Sequence, residues 1–447
     1  MGVTVQDVAI TDREHLPRAA STLRLASVAA LILLIPYNIH FDVLVDTHSP
    51  HLVGSGVQST WIGPIDALFA IVILSCLPLL SRRSTYLKQP IGQMGSAVFI
   101  AVVAIWLTMY PTVEGSMMLL RVAGVFAVII AVRAMSKKDF LVGVVGSLTL
   151  GASLQALLAL SQTFMYDSGM VVAATRSAVG RAWTAGRGTF GGNYTLAAYL
   201  IFAIAVALSF GISKRPLNRH FDSISLSAPL RVSMWTAVAL SSAAVATSFG
   251  RTALLAIGLV GGAYVVGWLM HRNQIMGISA LMTLLPLAAT GIVLRSGWLV
   301  RASQSATFDL TTRDALAARA LEMIRSSPLT GIGPVQYGPN LTQMGLSVLD
   351  PHIVHNVPLL VTAEFGIVVG VAFTIWLATL GVRAFRLSIY AAALYLAILP
   401  FLLLDNQHYV YGNGMAMFAI WIATLDYHRD AATGPATDQG RSQAKAS

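Results

Sequence analysis

The sequence predicts an all-α protein, a polytopic membrane helical bundle of about 12 transmembrane helices with a large outer loop between helices 9 and 10. Three observations carry that reading. Of the 447 residues, 56% are hydrophobic and only 11% are charged, well away from the balance of a soluble domain. Apolar stretches of about 20 residues, the length a helix needs to cross a bilayer with its backbone satisfied internally, recur along the whole chain. Lys and Arg then alternate between successive connections, as the positive-inside rule requires.

The predicted spans are 21–39, 62–81, 91–110, 117–135, 140–162, 191–212, 231–249, 252–271, 274–294, 357–380, 387–404 and 411–427. Residues 1–20 form a polar tail without the apolar core and cleavage site of a signal peptide, so the first helix is expected to be retained. Residues 21–427 read as one membrane-embedded domain, and the Ala-, Gly-, Thr-, Asp- and Gln-rich segment 428–447 as a disordered tail. The single cysteine, Cys76, lies inside a span, which excludes a disulfide framework and a cysteine-based metal site.

Sidedness follows from the connections. One set holds Arg13, Arg18 and Arg24, then Arg82, Arg83 and Lys88, then Arg133, Lys137 and Lys138, then Lys214, Arg215 and Arg219, then Arg272, then Arg383 and Arg386. Loops 40–61 and 111–116 have no Lys or Arg, which places both termini in the cytoplasm. Three outer connections depart from the rule: 163–190 with Arg176, Arg181 and Arg187, the turn SFGRT with Arg251, and 295–356 with Arg295, Arg301, Arg313, Arg319 and Arg325. All of this outer positive charge is arginine, whose planar fork binds phosphate or carboxylate bidentately. An anionic ligand on the outer face is one reading; an arginine-rich composition is the other. No nucleic-acid partner is implied.

Within the large loop, TTRDALAARALEMIRSSPLTGIGP reads as an amphipathic helix capped by Thr311 or Thr312. Leu316, Ala320, Leu321 and Ile324 recur on its apolar face, and Arg313, Arg319 and Arg325 lie on its polar face. Pro328 stops it, and Gly331, Gly333 and Pro334 turn the chain back, either as a plain turn or as a phosphate cradle. The loop re-enters the membrane through DPHIVHNVPLLVTAEFG, which gathers Asp350, His352, His355 and Asn356 ahead of Glu364. Glu364 and Asp66 are acids inside spans, where a charge is costly and faces a cavity or a partner. Two histidines and one aspartate are a thin ligand set for a metal, and no cofactor is expected. Asn193 and Tyr194 open the sixth span, where they contact a ligand or cap the helix.

Taken in order, GRGTFGGNYTLAAYL, SFGRTALLA, SSPLTGIGPVQYG and HNVPLLVTAEFG resemble the O-antigen ligase and O-antigen polymerase family of membrane glycosyltransferases. The resemblance implies a GT-C-type helical fold, a polyprenyl-diphosphate-linked glycan donor, a glycan, lipid or protein acceptor, and metal-free transfer on the outer face among the membrane lipids. It also implies that Arg187 and Arg251 hold the donor diphosphate and that His355 is the catalytic group. The sequence departs from the family pattern where Leu316 follows Arg313 in place of an aromatic residue and where Val357 and Pro358 follow the His-Asn pair.

The chemistry is coherent on its own terms. An acceptor hydroxyl must lose a proton as it attacks the anomeric carbon, and an imidazole is suited to take it near neutral pH. Fixed guanidiniums stabilise the departing diphosphate, and attack from the opposite face inverts the anomeric centre. The alternative class is a transporter or flippase for an anionic solute or lipid-linked saccharide; that would require a comparable binding route from the inner face, whereas the informative charges sit on one side.

Overall fold

Breaks in the helices, more than the helices themselves, decide how this chain is arranged. The computed structural model describes residues 18–37, 41–42, 61–81, 100–108, 113–164, 178–179, 183–185, 188–190, 193–212, 228–344, 353–405 and 412–433. In chain order the helices are α1 (Arg18–Leu34), α2 (Pro64–Ser81), α3 (100–108), α4 (Val113–Arg133) and α5 (Lys137–Phe164, passing through a π-turn at Leu141–Gly146). They continue with α6 (Asn193–Val206, prolonged by a π-turn over Ala207–Ile212), α7 (Ala228–Thr247), α8 (Arg251–His271), α9 (Gln274–Val293) and α10 (Arg295–Ser326). The last are α11 (Tyr337–Gln343), α12 (Val357–Phe365), α13 (Ile367–Leu387), α14 (Ile389–Leu404) and α15 (Gly412–Thr433). Among the described residues the only strands are two antiparallel two-residue pairings, Phe41–Asp42 with Trp61–Ile62 and Ala178–Val179 with Trp183–Thr184.

Five helices, α5, α8, α9, α13 and most of α4, are long and apolar enough to cross a membrane, and α1, α2, α6 and α14 carry shorter apolar stretches. A helix that is apolar all round belongs in the centre, and α6 fits: Leu196 through Leu208 are all buried. By contrast α9 leaves Leu281, Leu285 and Ile292 exposed, and α13 leaves Val368, Val371 and Ile375 exposed, the faces that meet lipid.

Four sequence expectations change. The span expected over 357–380 is two helices, because Gly366 adopts φ +84° and ends α12 after nine residues. At 1.5 Å per residue α12 is only ~13 Å long, too short to cross. The loop helix expected from Thr311 begins at Arg295, one residue after α9 breaks at Leu294. On that helix Leu321 is 47% exposed and Met323 takes its place in the buried stripe with Leu316, Ala320 and Ile324. The tail expected to be disordered from 428 is helical to Thr433, since Tyr427 stacks on Phe140 at 3.9 Å and His428 packs edge-on against Phe210.

The acid expected to need a partner at Asp66 has one. Arg121 on α4 donates to it twice, Nε to Oδ1 at 2.8 Å and Nη2 to Oδ2 at 3.2 Å, with both side chains buried. Asp66 also accepts from the Gly63 N–H at 3.0 Å, tying down the first turn of α2 behind Pro64. The pair is structural. Arg121→Leu leaves a carboxylate uncompensated in an apolar interior and is expected to cost about 3 kcal/mol. Thermal unfolding of the purified chain should show this as a lower midpoint; an unchanged midpoint would remove the pair from the list of supports.

One packing relation places the site. Helices α8 and α14 pack antiparallel, with Gly267 against Ile389 and the rings of Tyr264 and Tyr390 5.9 Å apart. Arg251 precedes Gly267 by 16 residues and Asp405 follows Ile389 by 16 residues, so each lies ~24 Å along its helix from that contact. Both therefore reach the same end of the bundle.

Candidate active site

The His-Asn pair that ends the large loop is fixed from two directions. Asn356 is the N-cap of α12: its Oδ1 accepts from the Leu359 N–H at 2.8 Å, and its Nδ2 donates to the Leu403 carbonyl at 3.0 Å. The first bond offsets an orphan donor of the helix start; the second ties that start to the end of α14. This sets His355 beside Asp405, two residues past Leu403, with Nδ1 3.7 Å from the Asp405 Oδ1. The His355 side chain is 27% exposed and that of Asp405 7%, so the imidazole presents an edge to solvent while its other side faces a buried carboxylate. Nothing near Asp405 in the sequence marks it; it is the first polar residue after the apolar run of α14, and only packing brings it to His355.

Arg251 opens α8 at the same end. Its turn is unusual: Phe249 takes φ +51°, in the left-handed region that L side chains rarely adopt, and Gly250 caps the helix with no side-chain bond to its first turn. Such a conformation persists only where its surroundings enforce it. They do so through Ala185, Leu294 and Trp298, which bury the Phe249 ring, with Trp298 5.3 Å from it. Tyr194 lies against Gly250, near enough that a Cβ there would meet its ring at 3.2 Å. The start of α6 and the start of α8 are thus brought together. Asn193 is the first residue of α6.

Arg187 lies outside the described residues, as do Asp350 and His352. The described chain on both sides of Arg187 is anchored: Ala185 is packed on Phe249, and Gly188 is gripped by Gln162, whose Oε1 accepts from the Gly188 N–H at 2.8 Å and whose Nε2 donates to its carbonyl at 2.9 Å. Gln155 accepts from the Thr189 N–H at 2.8 Å. Neither glutamine stood out in the sequence, where both read as polar positions in an apolar helix.

Other expected residues are not brought to His355. Arg319 pairs with Glu322 at 2.7 Å on α10, and both it and Arg313 are half-buried on that helix. Glu364 is 2% exposed near the far end of α12, beneath the Ser327–Gly333 turn. It is close enough to Tyr337 that its charge adds to the effect of burial in raising the Tyr337 hydroxyl above its ordinary range. That hydroxyl donates to the Leu316 carbonyl at 2.7 Å, so this region holds α10 and α11 together. The reading of Gly331-Ile332-Gly333-Pro334 as a phosphate cradle fails, because its donors are spent: the Gly331, Ile332 and Gly333 N–H groups go to the carbonyls of Ser327, Ala363 and Glu364 at 2.9–3.0 Å.

Chemically, the arrangement offers one partly exposed imidazole backed by a carboxylate and, at the same end of the bundle, an arginine on a helix N-terminus, where backbone dipoles also favour an anion. No curated protein sequence matches the chain. Residues 236–374, about a third of the chain and a stretch that includes Arg251, the whole of α10 and His355, match the family model described as O-antigen ligase.

Proposed function

We propose that the protein transfers a glycan from a polyprenyl-diphosphate donor to an acceptor hydroxyl, at the end of the bundle that holds His355 and on the outer face of the cytoplasmic membrane. The observation that carries this is His355 facing Asp405 at the end where Arg251 opens α8. In the step, the acceptor O–H gives its proton to the His355 Nε2 and a new bond forms from that oxygen to the anomeric carbon. The carbon–oxygen bond to the diphosphate breaks, and the diphosphate leaves with the electron pair. Arg251, with Arg187, Tyr194 and Asn193, binds the donor side; a guanidinium fork spans two phosphate oxygens and stabilises charge that grows as the bond breaks. Asp405 orients the ring and faces the imidazolium that forms on proton uptake, and a distance of 3.7 Å is one that tightens when substrate is bound. Roles for Arg313, Arg319 and Glu364 toward the substrate are not favoured by their surroundings. The chemistry proceeds from protein groups alone, with inversion at carbon.

The test is transfer of labelled glycan from lipid diphosphate in membranes, with and without a chelator. Asp405→Asn keeps the shape and removes the charge; it is expected to lower kcat by about 10–100-fold while leaving the donor KM within about twofold. Arg251→Lys in the same assay is expected to raise the donor KM, since a point charge replaces a fork. Transfer unaffected by both substitutions would defeat the proposal, as would activity lost to chelator and restored by metal.

A further inference from the structure

At the opposite end of the bundle is a cavity that the transfer chemistry does not use. It has a volume of about 260 Å³ and is lined by Leu380, Arg383, Ala384, Arg386, Leu387, Ala391, Leu425 and Asp426. The three helices that form it are α13, α14 and α15. Because α13 starts beside the Pro328 carbonyl, at the turn joined to α12, and α14 ends at Asp405, the last turn of α13 and the first of α14 lie far from His355.

Its lining is amphipathic. Arg383 and Arg386 are three residues apart, hence neighbours on one helix face, and like charges so placed repel. The helix dipole favours a cation in the last turn, yet among the described residues neither guanidinium has a carboxylate partner. Asp426 supplies one negative charge on the α15 wall, so two guanidiniums against one carboxylate leave the lining with a formal charge of +1. Leu380, Ala384, Leu387, Ala391 and Leu425 provide a continuous apolar wall. By the distribution of Lys and Arg, this end faces the cytoplasm.

We infer that this cavity binds the headgroup of an anionic phospholipid. The two guanidiniums hold the phosphodiester, Asp426 accepts from a headgroup hydroxyl, and an acyl chain lies along the apolar wall. The geometry suits a lipid better than a free anion, since an inorganic phosphate would leave that wall unused. Basic pockets between helices at the cytoplasmic interface are known to select such headgroups.

The experiment is native mass spectrometry of the full chain in detergent, titrated with dioleoylphosphatidylglycerol, with dioleoylphosphatidylcholine and, separately, with inorganic phosphate in competition. Phosphatidylglycerol is expected to bind about tenfold more tightly than phosphatidylcholine, and the Arg383→Gln/Arg386→Gln variant to erase that preference. Arg272→Gln, at the same end but outside the cavity, is expected to retain it. Equal retention of the two lipids, an unchanged preference in the double variant, or loss of preference in Arg272→Gln would overturn the inference. So would displacement of the lipid by an equal concentration of phosphate, which would identify a soluble anion as the ligand. Both arginines are exposed, and an unshifted thermal transition of the double variant establishes that its fold is intact.

Discussion

Replacing His355 by alanine is expected to lower glycan transfer by about 10²–10⁴-fold, the usual contribution of a positioned general base, while the protein still accumulates in the membrane. The two halves of that expectation rest on different residues. The fold at this point depends on Asn356, which caps α12 and ties it to the Leu403 carbonyl, so removing the neighbouring imidazole leaves α12 in place. The chemistry depends on the ring, which is partly exposed and backed by the buried Asp405. Asn356→Ala provides the contrast: it removes a helix cap, costs about 1 kcal/mol, and should lower thermal stability as well as activity. The decisive measurement is single-turnover transfer at saturating donor. Full transfer by the alanine variant would end the assignment of His355 as the base.

Gly366→Ala and Gly331→Ala are expected to destabilise the protein by about 3 kcal/mol or more, through left-handed backbone strain and overpacking together. Gly331 has φ +70° and Gly366 φ +84°. A Cβ at Gly331 would meet the backbone of Glu364 and Phe365, and one at Gly366 would meet the Leu329 carbonyl; backbone atoms cannot swing aside as a side chain can. The two glycines belong to one interlock. The Ile332 and Gly333 N–H groups donate to Ala363 and Glu364, and the Ile367 N–H donates to the Pro328 carbonyl at 2.8 Å, joining the end of the loop helix to the end of α12. Trp106 closes over it, donating to the Thr330 carbonyl at 3.2 Å. Gly258→Ala is the control: nothing lies within 4 Å of its Cβ position, and alanine there should stabilise α8 by up to about 1 kcal/mol. Thermal midpoints that fall equally for all three variants would show that the interlock has no special weight.

Because α12 begins two residues after His355 and ends at this interlock, strain at Gly366 should also lower transfer. That effect was not legible in the sequence. The run VPLLVTAEFGIVVG is apolar on both sides of Gly366, and periodicity alone extends one helix through it. The break depends on a left-handed glycine whose conformation is held by a turn some 35 residues earlier in the chain, from Ser327 to Gly333. A glycine after a helical run is a stop signal, and here it was the one local clue.

The same division runs through the charged residues. Asp66 announced by its place in an apolar span that it needed a partner, but Arg121 is 55 residues away, and no local pattern joins them. His355, Arg251 and Tyr194 were marked by residue type and by position at the ends of predicted spans. Asp405 was not, since one aspartate at the end of an apolar helix reads as an ordinary interfacial residue. On the loop helix, Leu321 and Met323 exchanged roles because an apolar stripe read by period tolerates a shift of one or two positions, whereas the packed surface of α12 accepts only one.

What the sequence determined by itself was the class of protein, the approximate course of its helices and the kinds of side chain available for chemistry. Those depend on apolarity, turn residues and charge, whose effects act within a few residues and add along the chain. What only the tertiary structure decided was which distant charges meet: Asp405 with His355 and Arg121 with Asp66. The physical reason is range. In an apolar interior a polar group must find a partner, but which partner is set by antiparallel packing and by two left-handed glycines, and distance along the chain carries no record of either.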